Sequence, residues 1–423
     1  MAKTPYAQQR DARQQNVSTL LRDLWYNAPL AKATLAQRNG LTKATVSAIC
    51  AELDALGLIR DVGQDKSGIG RPSNLLEINE SARGAIGVEI STNYVAVLLT
   101  DLRARPLWRR TIPTTPGGSQ ALVLALAEEL IDTAITEAKK RELPLLGIGV
   151  GLPGSVSADQ AIVINSPALG WKHVALKELW QARFSQAVVV ENKARAAALA
   201  EGMHGAAQGV ANFIYVSLGT DVRASVDAAL VVNGALYHGA HGLGVDAGHL
   251  ILDPDGDLCS CGQRGCWQAM ADVGREVDLA RPRLQAGEGS VLQQLAADDY
   301  AGLDHRTIHQ AALEKDPLAL EVVHEILVNN AYGIANLVTI LDPELVVIGY
   351  ANVALPAAFQ ARMEALNALP DLDTATGARR LLSERGLTPP PIRTAAYGAD
   401  AFALGAATLL LDEFLRNPPI HES

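Results

Sequence analysis

The order of strand-like and helix-like segments beyond residue 80 constrains the fold of this chain more than any other feature. The segments follow one another as a hairpin (84–90 and 94–101), a long helix (121–140), a buried strand (146–151), a second series of strands (211–220, 228–234 and 343–349) and a C-terminal helix (399–415). Strands that alternate with helices predict an α/β fold.

The first 80 residues have a different pattern, which predicts a winged helix-turn-helix. Three short helices are expected at 12–26, 31–38 and 43–56, the last with Thr42 as its N-cap and Gly57 as its C-cap. Two strands should follow, at 58–62 and 75–78, with a glycine-rich loop over 63–72 between them. This loop would be the wing.

The start of the third helix is the predicted DNA-reading surface, because a recognition helix meets base edges with its first turns. The candidate DNA contacts are Thr42, Lys43, Ala44, Thr45 and Ser47, together with Lys66 and Arg71 in the wing loop. Arg71 precedes a proline and would enter the minor groove. The alternative is a helical module that packs only against protein.

The distribution of charge also favours a nucleic-acid partner for the N-terminus. The net charge is −10, yet residues 1–50 carry seven Lys or Arg against two acids, a balance of +5 that leaves −15 for the remainder. An acidic body repels nucleic acid, whereas a basic head attracts it. Ordinary variation in surface charge is the alternative explanation.

A metal site is predicted from four residues in a short stretch. Cys259, Cys261 and Cys266 lie within eight residues, and His249 precedes them by ten. One imidazole and three thiolates make the closed tetrahedral set that structural zinc prefers. Disulfides are the rival, but an odd cluster of three cysteines does not favour them. Cys50 is expected to be a packing residue.

Residues 190–201, V-E-N-K-A-R-A-A-A-L-A-E, resemble the E-N-D-A-N-A-A-A-L-x-E segment of the ROK family, which groups sugar-responsive repressors with sugar kinases. The zinc stretch and the G-I-G-R-P wing loop resemble family elements too. The resemblance implies a two-lobed, actin-like body behind the winged head. The expected domains are 1–80 for the head, 81–200 with helix 399–415 for lobe 1, and 201–398 for lobe 2, which carries the zinc motif and a dimerisation surface.

The motifs that a ROK kinase needs are damaged at four places. Lys193 stands where the kinases have their catalytic aspartate, and a protonated lysine cannot accept the sugar proton. The glycines of two phosphate loops are replaced, near Ile90 and in Gly219–Ser225, and a third glycine pair is reduced to Gly349-Tyr350. The sequence therefore predicts no enzyme activity.

The sugar-binding positions that the resemblance implies are also altered. They correspond to Ala168, Asn192 with Lys193, Asp246, His249 and Gln268, and of these only Asn192 and His249 match the family. The candidate effector contacts are Asn192, Lys193, Asp246, His249 and Gln268. Either Lys193 and Arg195 favour an anionic carbohydrate, or no effector binds and Lys193 forms a structural ion pair with Asp246 or Asp221.

Together these features predict a cytoplasmic transcriptional repressor of carbohydrate-related genes. Its expected partners are a double-stranded DNA operator, a carbohydrate-derived effector and further copies of itself, as a homodimer or homotetramer, with zinc as cofactor and no membrane contact. A sugar kinase with an appended head, an effector-independent regulator and a protein-binding adaptor are the alternatives.

Overall fold

A computed structural model of the chain describes residues 5–65, 73–115, 117–157, 159–218, 226–295, 300, 302–349 and 373–418. Several predictions concern residues outside these ranges. The residues concerned are Lys66 and Arg71 of the wing loop, residues 219–225 of the second phosphate loop, and Tyr350.

The N-terminal region contains three helices and a small antiparallel sheet. Its elements are α1 (Pro5–Asn27), β1 (Leu30–Ala31), α2 (Lys32–Arg38), α3 (Lys43–Ala55), β2 (Ile59–Asp65) and β3 (Ser73–Ile78), with strand order β1-β3-β2. Helix α1 begins seven residues earlier than the sequence pattern predicts. Helix α3 begins as predicted, since Thr42 Oγ1 accepts a hydrogen bond of 3.1 Å from the Thr45 amide.

The first lobe is built on a five-stranded sheet of order β11-β7-β4-β5-β6. The elements are β4 (Gly84–Ile90), β5 (Tyr94–Asp101), β6 (Pro106–Pro113), α4 (Gln120–Lys140), β7 (Leu145–Leu152), β8 (Ser155–Ser157), β9 (Ile162–Ser166), β10 (Trp171–Val174), α5 (Leu176–Phe184), β11 (Val188–Asn192) and α6 (Lys193–His204). Strands β8 to β10 form a separate small sheet. Strand β11 leads directly into α6, so the first residues of α6 lie at the edge where the parallel strands end.

The second lobe repeats this plan with a sheet of order β14-β13-β12-β15-β16. Its elements are β12 (Phe213–Leu218), β13 (Val226–Val232), β14 (Ala235–Leu236), α7 (Trp267–Met270), α8 (Val273–Gln285), α9 (Leu292–Leu295), α10 (His305–Leu313), α11 (Pro317–Leu341), β15 (Leu345–Gly349), α12 (Thr374–Glu384) and β16 (Ile392–Thr394). The last helix of the chain, α13 (Ala401–Arg416), returns to the first lobe. No helix among the described residues is long and apolar enough to cross a membrane.

The C-terminal helix α13 packs on the sheet of the first lobe and on α6. Two glycines make this close approach feasible: a Cβ atom at Gly149 would lie 1.8 Å from the Ala406 carbonyl oxygen, and one at Gly87 would lie 1.9 Å from that of Ala403. The glycines in strands β4 and β7 therefore serve helix-to-sheet packing.

One hydrophobic core joins the N-terminal region to the body. It combines Leu20 and Leu24 of α1 with Leu199 and Met203 of α6 and Phe414 of α13. Cys50 is also buried there, which confirms its predicted packing role. Because α6 also starts at the cleft between the lobes, this helix runs from the cleft to the core of the N-terminal region.

Candidate functional site

A cavity of about 260 Å³ opens at the N-terminal end of α6. Its walls come from both lobes, and all five predicted effector contacts line it: Asn192, Lys193, Asp246, His249 and Gln268. Its volume lies slightly below the roughly 300–1,000 Å³ typical of pockets for drug-sized ligands. The structure thus brings together residues that are 76 positions apart in sequence.

Asn192 has used its whole hydrogen-bonding capacity within the protein. Its Oδ1 accepts from the amides of Ala194 (2.8 Å) and Arg195 (3.1 Å), which caps α6. Its Nδ2 donates to the Gly154 carbonyl (3.2 Å) and to Asp227 Oδ2 (2.9 Å). An amide side chain offers two donors and two lone pairs, so Asn192 positions Asp227; its predicted role as an effector contact stays a prediction.

Asp227 is a site residue that the sequence patterns missed. It lies on β13 and lines the cavity, and its Oδ1 accepts from the Ala228 amide at 2.9 Å. Burial raises the pKa of its carboxyl, an effect that the hydrogen bond from Asn192 opposes and the negative charge of Asp246 increases. An acid within an otherwise apolar strand was the available signal, because a charge there requires partners.

Lys193 is the first residue of α6 and only 4% exposed. Its Nζ lies 4.8 Å from the ring centroid of Phe402, a favourable cation–π distance. It also lines the cavity beside Asp227 and Asp246. The predicted partner Asp221 lies outside the described residues, and both readings of Lys193 stay predictions.

A buried network holds a loop over the cavity. Arg195 Nε donates to Glu191 Oε1 at 2.7 Å, while His238 Nε2 lies 2.7 Å from Glu191 Oε2. Burial alone would raise the pKa of Glu191, but the His238 hydrogen bond and the Arg195 charge outweigh it, and the pKa lies below its usual value. Arg195 also reaches the Gly242 carbonyl at 3.3 Å, which ties the loop of His238 and Gly242 to α6.

The four predicted metal ligands come together in the second lobe. The donor atoms of His249, Cys259, Cys261 and Cys266 all lie within 4.8 Å of one another. The Cys261 and Cys266 sulfurs are 3.7 Å apart, and Cys259 Sγ is 3.7 Å from His249 Nδ1. Two sulfurs at the usual 2.3 Å from a tetrahedral zinc would be about 3.8 Å apart, so the set fits a metal ion.

Gln268 connects the cavity to this cluster. Its Nε2 donates to Cys259 Sγ at 3.2 Å and to Ser260 Oγ at 3.3 Å. Burial would raise the pKa of Cys259, but hydrogen bonds from the Cys261 amide and from Gln268 bring it down to about 7. A donor of this kind stabilises a thiolate, which is the form that binds metal.

The predicted DNA contacts on α3 lie together at the helix start. Thr42, Lys43, Ala44 and Ser47 are exposed, and Thr45 is half-buried because its amide and hydroxyl engage Thr42. The opposite face of α3 is buried in the shared core through Val46, Ile49 and Leu53, among others.

Comparison with known proteins agrees with this architecture. The model of the ROK family matches residues 85–413, more than three quarters of the chain. The chain belongs to the ROK family. Its similarity to the xylose repressor of Bacillus subtilis strain 168 extends over 97% of this chain and 98% of that protein, at 27% identity.

Two solved ROK structures, one of a regulator and one of a kinase, resemble this fold. A ROK family transcriptional regulator described as a homologue of the Escherichia coli MLC protein superposes with a TM-score of 0.77, covering 96% of this chain and 97% of its own, at 24% identity. A ROK family glucokinase from Streptomyces griseus, in complex with glucose and AMPPNP, gives a TM-score of 0.64 at 28% identity and covers 77% of this chain and 98% of its own. The actin-like fold of the body is therefore shown.

Proposed function

We propose that this ROK protein is a DNA-binding transcriptional repressor of carbohydrate-related genes, without kinase activity. The observation that carries the proposal is the exposed first turn of α3, presented by a head whose core continues into the body. The near full-length similarity to a xylose repressor supports it. Acting on DNA would place the protein in the cytoplasm.

In this proposal the head, residues 1–80, is a winged helix-turn-helix. Thr42, Lys43, Ala44, Thr45 and Ser47 would face the major groove, and Lys66 and Arg71 would contact DNA from the wing. Two heads on one operator would provide specificity, so the active form is a homodimer or homotetramer. Lobe 1 comprises 81–200 with helix 399–415, and lobe 2 comprises 201–398.

The cavity is the proposed effector site, and α6 provides its link to the head. Asn192, Lys193, Asp246, His249 and Gln268 surround the effector, a carbohydrate or a derivative of one. A ligand that shifts the start of α6 would act on Leu199 and Met203, which share one hydrophobic core with α1. An effector changes operator affinity only if it binds one arrangement better than the other.

Zinc is the proposed metal at His249, Cys259, Cys261 and Cys266. It would hold together the loop that carries three of these ligands, and Gln268 would orient Cys259 from the cavity side. The metal supplies folding free energy here.

An operator-fragment shift assay on the full chain tests the DNA role. Lys43→Glu should weaken binding by at least ten-fold, since it reverses a charge beside the phosphates, and wild-type affinity should fall steeply with salt. Lys139→Glu, on the exposed end of α4, is the matched control and should bind normally. Equal affinity of both variants would exclude α3 as the reading surface.

A further inference from the structure

The cavity can recognise a ligand only through lining groups whose hydrogen-bonding positions are not already used within the protein. Ala168 offers no polar side-chain atom, and Asn192 already makes four hydrogen bonds inside the protein. The Gln268 amide is directed at Cys259 and Ser260. The carboxylates of Asp227 and Asp246 are the acidic groups that line the cavity among the described residues.

The carboxylate of Asp227 is held in one orientation. Asn192 Nδ2 binds one oxygen and the Ala228 amide binds the other, each at 2.9 Å. Burial raises the pKa of Asp227, but the hydrogen bond from Asn192 and the positive charges of Lys193 and Arg195 favour its ionised form. An ionised carboxylate has about four acceptor positions, so each oxygen retains one. Two acceptors fixed side by side suit two adjacent hydroxyl groups of a ligand.

The balance of charge disfavours an anionic ligand. Within the described part of the chain two cations line the cavity, Lys193 and Arg195, but Arg195 is neutralised by Glu191 at 2.7 Å. Lys193 then stands against two carboxylates, Asp227 and Asp246. A ligand carboxylate or phosphate would add a third negative charge to a partly desolvated site.

We propose that Asp227 is the residue that selects the effector, by accepting hydrogen bonds from two adjacent hydroxyls of a neutral monosaccharide. This rests on the proposed effector role of the cavity and deepens it. It also replaces the expectation of an anionic carbohydrate by a neutral one, because the residue that decides the charge balance lies on β13, away from the motif of Lys193 and Arg195.

Calorimetry on the full, zinc-loaded chain tests the proposal. The panel contains D-xylose, D-glucose, D-galactose and D-mannose, each with its matching aldonic or uronic acid. A neutral sugar should bind at least ten-fold more tightly than its acid. Asp227→Asn should weaken that binding by about 10- to 100-fold, the range for hydrogen bonds to a charged group. Asp132→Asn, in an exposed ion pair with Arg183 on the far surface of lobe 1, should bind like wild type.

Deoxy analogues of the bound sugar keep the test valid if Asp227→Asn does not fold. Removing one of two adjacent hydroxyls should weaken binding to the unmodified protein by a similar factor. If Asp227→Asn does fold, the same deoxy sugar should lose little further affinity for that variant. Tighter binding of an acid, full affinity in Asp227→Asn, insensitivity to every single hydroxyl, or no binding of any neutral sugar would each overturn the proposal. Operator binding in the same samples distinguishes failure of this inference from failure of the proposed DNA-binding role. Intact DNA binding without binding of a neutral sugar overturns this inference and leaves the DNA-binding role unaffected.

Discussion

His204 is the last residue of α6, the helix that runs from the cleft to the core of the N-terminal head. We expect this residue to make the stability of the protein depend on pH. Its Nδ1 lies 2.7 Å from the Tyr397 hydroxyl and its Nε2 lies 3.1 Å from Thr408 Oγ1. Burial lowers the pKa of His204 from 6.5 to about 4, because the imidazolium form loses its hydration. Between these two values the unfolded chain binds a proton that the folded chain excludes.

The free energy of unfolding should therefore fall as pH decreases from 6.5 to about 4. A difference of about 2.5 pKa units, at 1.36 kcal/mol each, gives at most about 3 kcal/mol for this residue. Above pH 6.5 both states are neutral at His204 and its contribution is constant. Urea unfolding followed by circular dichroism at half-unit steps from pH 7.5 to 4.5 measures the change.

His204→Gln separates this residue from the other titrating groups. Glutamine retains hydrogen-bonding atoms for Tyr397 and Thr408 but does not titrate. The variant should lose stability less steeply than wild type between pH 6.5 and 4.5, by up to about 1.4 kcal/mol per pH unit. Parallel curves for the two proteins would refute the assignment of a buried, neutral His204.

Three further predictions concern the metal, the packing and the chemistry. Cys261→Ser should reduce zinc from about one per chain, by elemental analysis, and lower the melting temperature; a metal-free wild type of equal stability would contradict the zinc site. Gly149→Ala should destabilise the fold by about 1–3 kcal/mol in urea titrations, since its Cβ would lie 1.8 Å from the Ala406 oxygen; Gly289→Ala, where the added Cβ meets no atom within 4 Å, is the control and should change stability little, and equal stability of the two variants would contradict the packing role. Coupled assays should detect no sugar-dependent ADP release, and Lys193→Asp should not create it because the phosphate-loop glycines are still replaced; sugar-dependent turnover by either protein would refute the loss of kinase activity.

Features that depend on neighbouring residues could be predicted from the sequence. The start of α3 follows from Thr42, whose hydroxyl caps the helix three residues on. The metal cluster follows from four metal-binding side chains within residues 249–266, a segment short enough to fold around one ion. The hairpin of β4 and β5 follows from two largely apolar segments that only residues 91–93 separate. In each case the atoms that interact are close in the chain, so the local pattern contains the information.

Contacts between distant segments were decided by the tertiary structure alone. Asn192 matches a sugar-binding motif in the sequence, yet the fold places Asp227 and Gly154 where they consume its donors. Asp227 matches no motif, yet the pairing of β12 with β13 and the approach of the lobes bring it into the cavity. The sequence determined which side chains carry charge, metal affinity and helix caps. Which of them share a desolvated cavity, and so which retain capacity for a ligand, depends on how the lobes pack, because hydrogen bonds and charges act over a few ångströms of space whatever the separation along the chain.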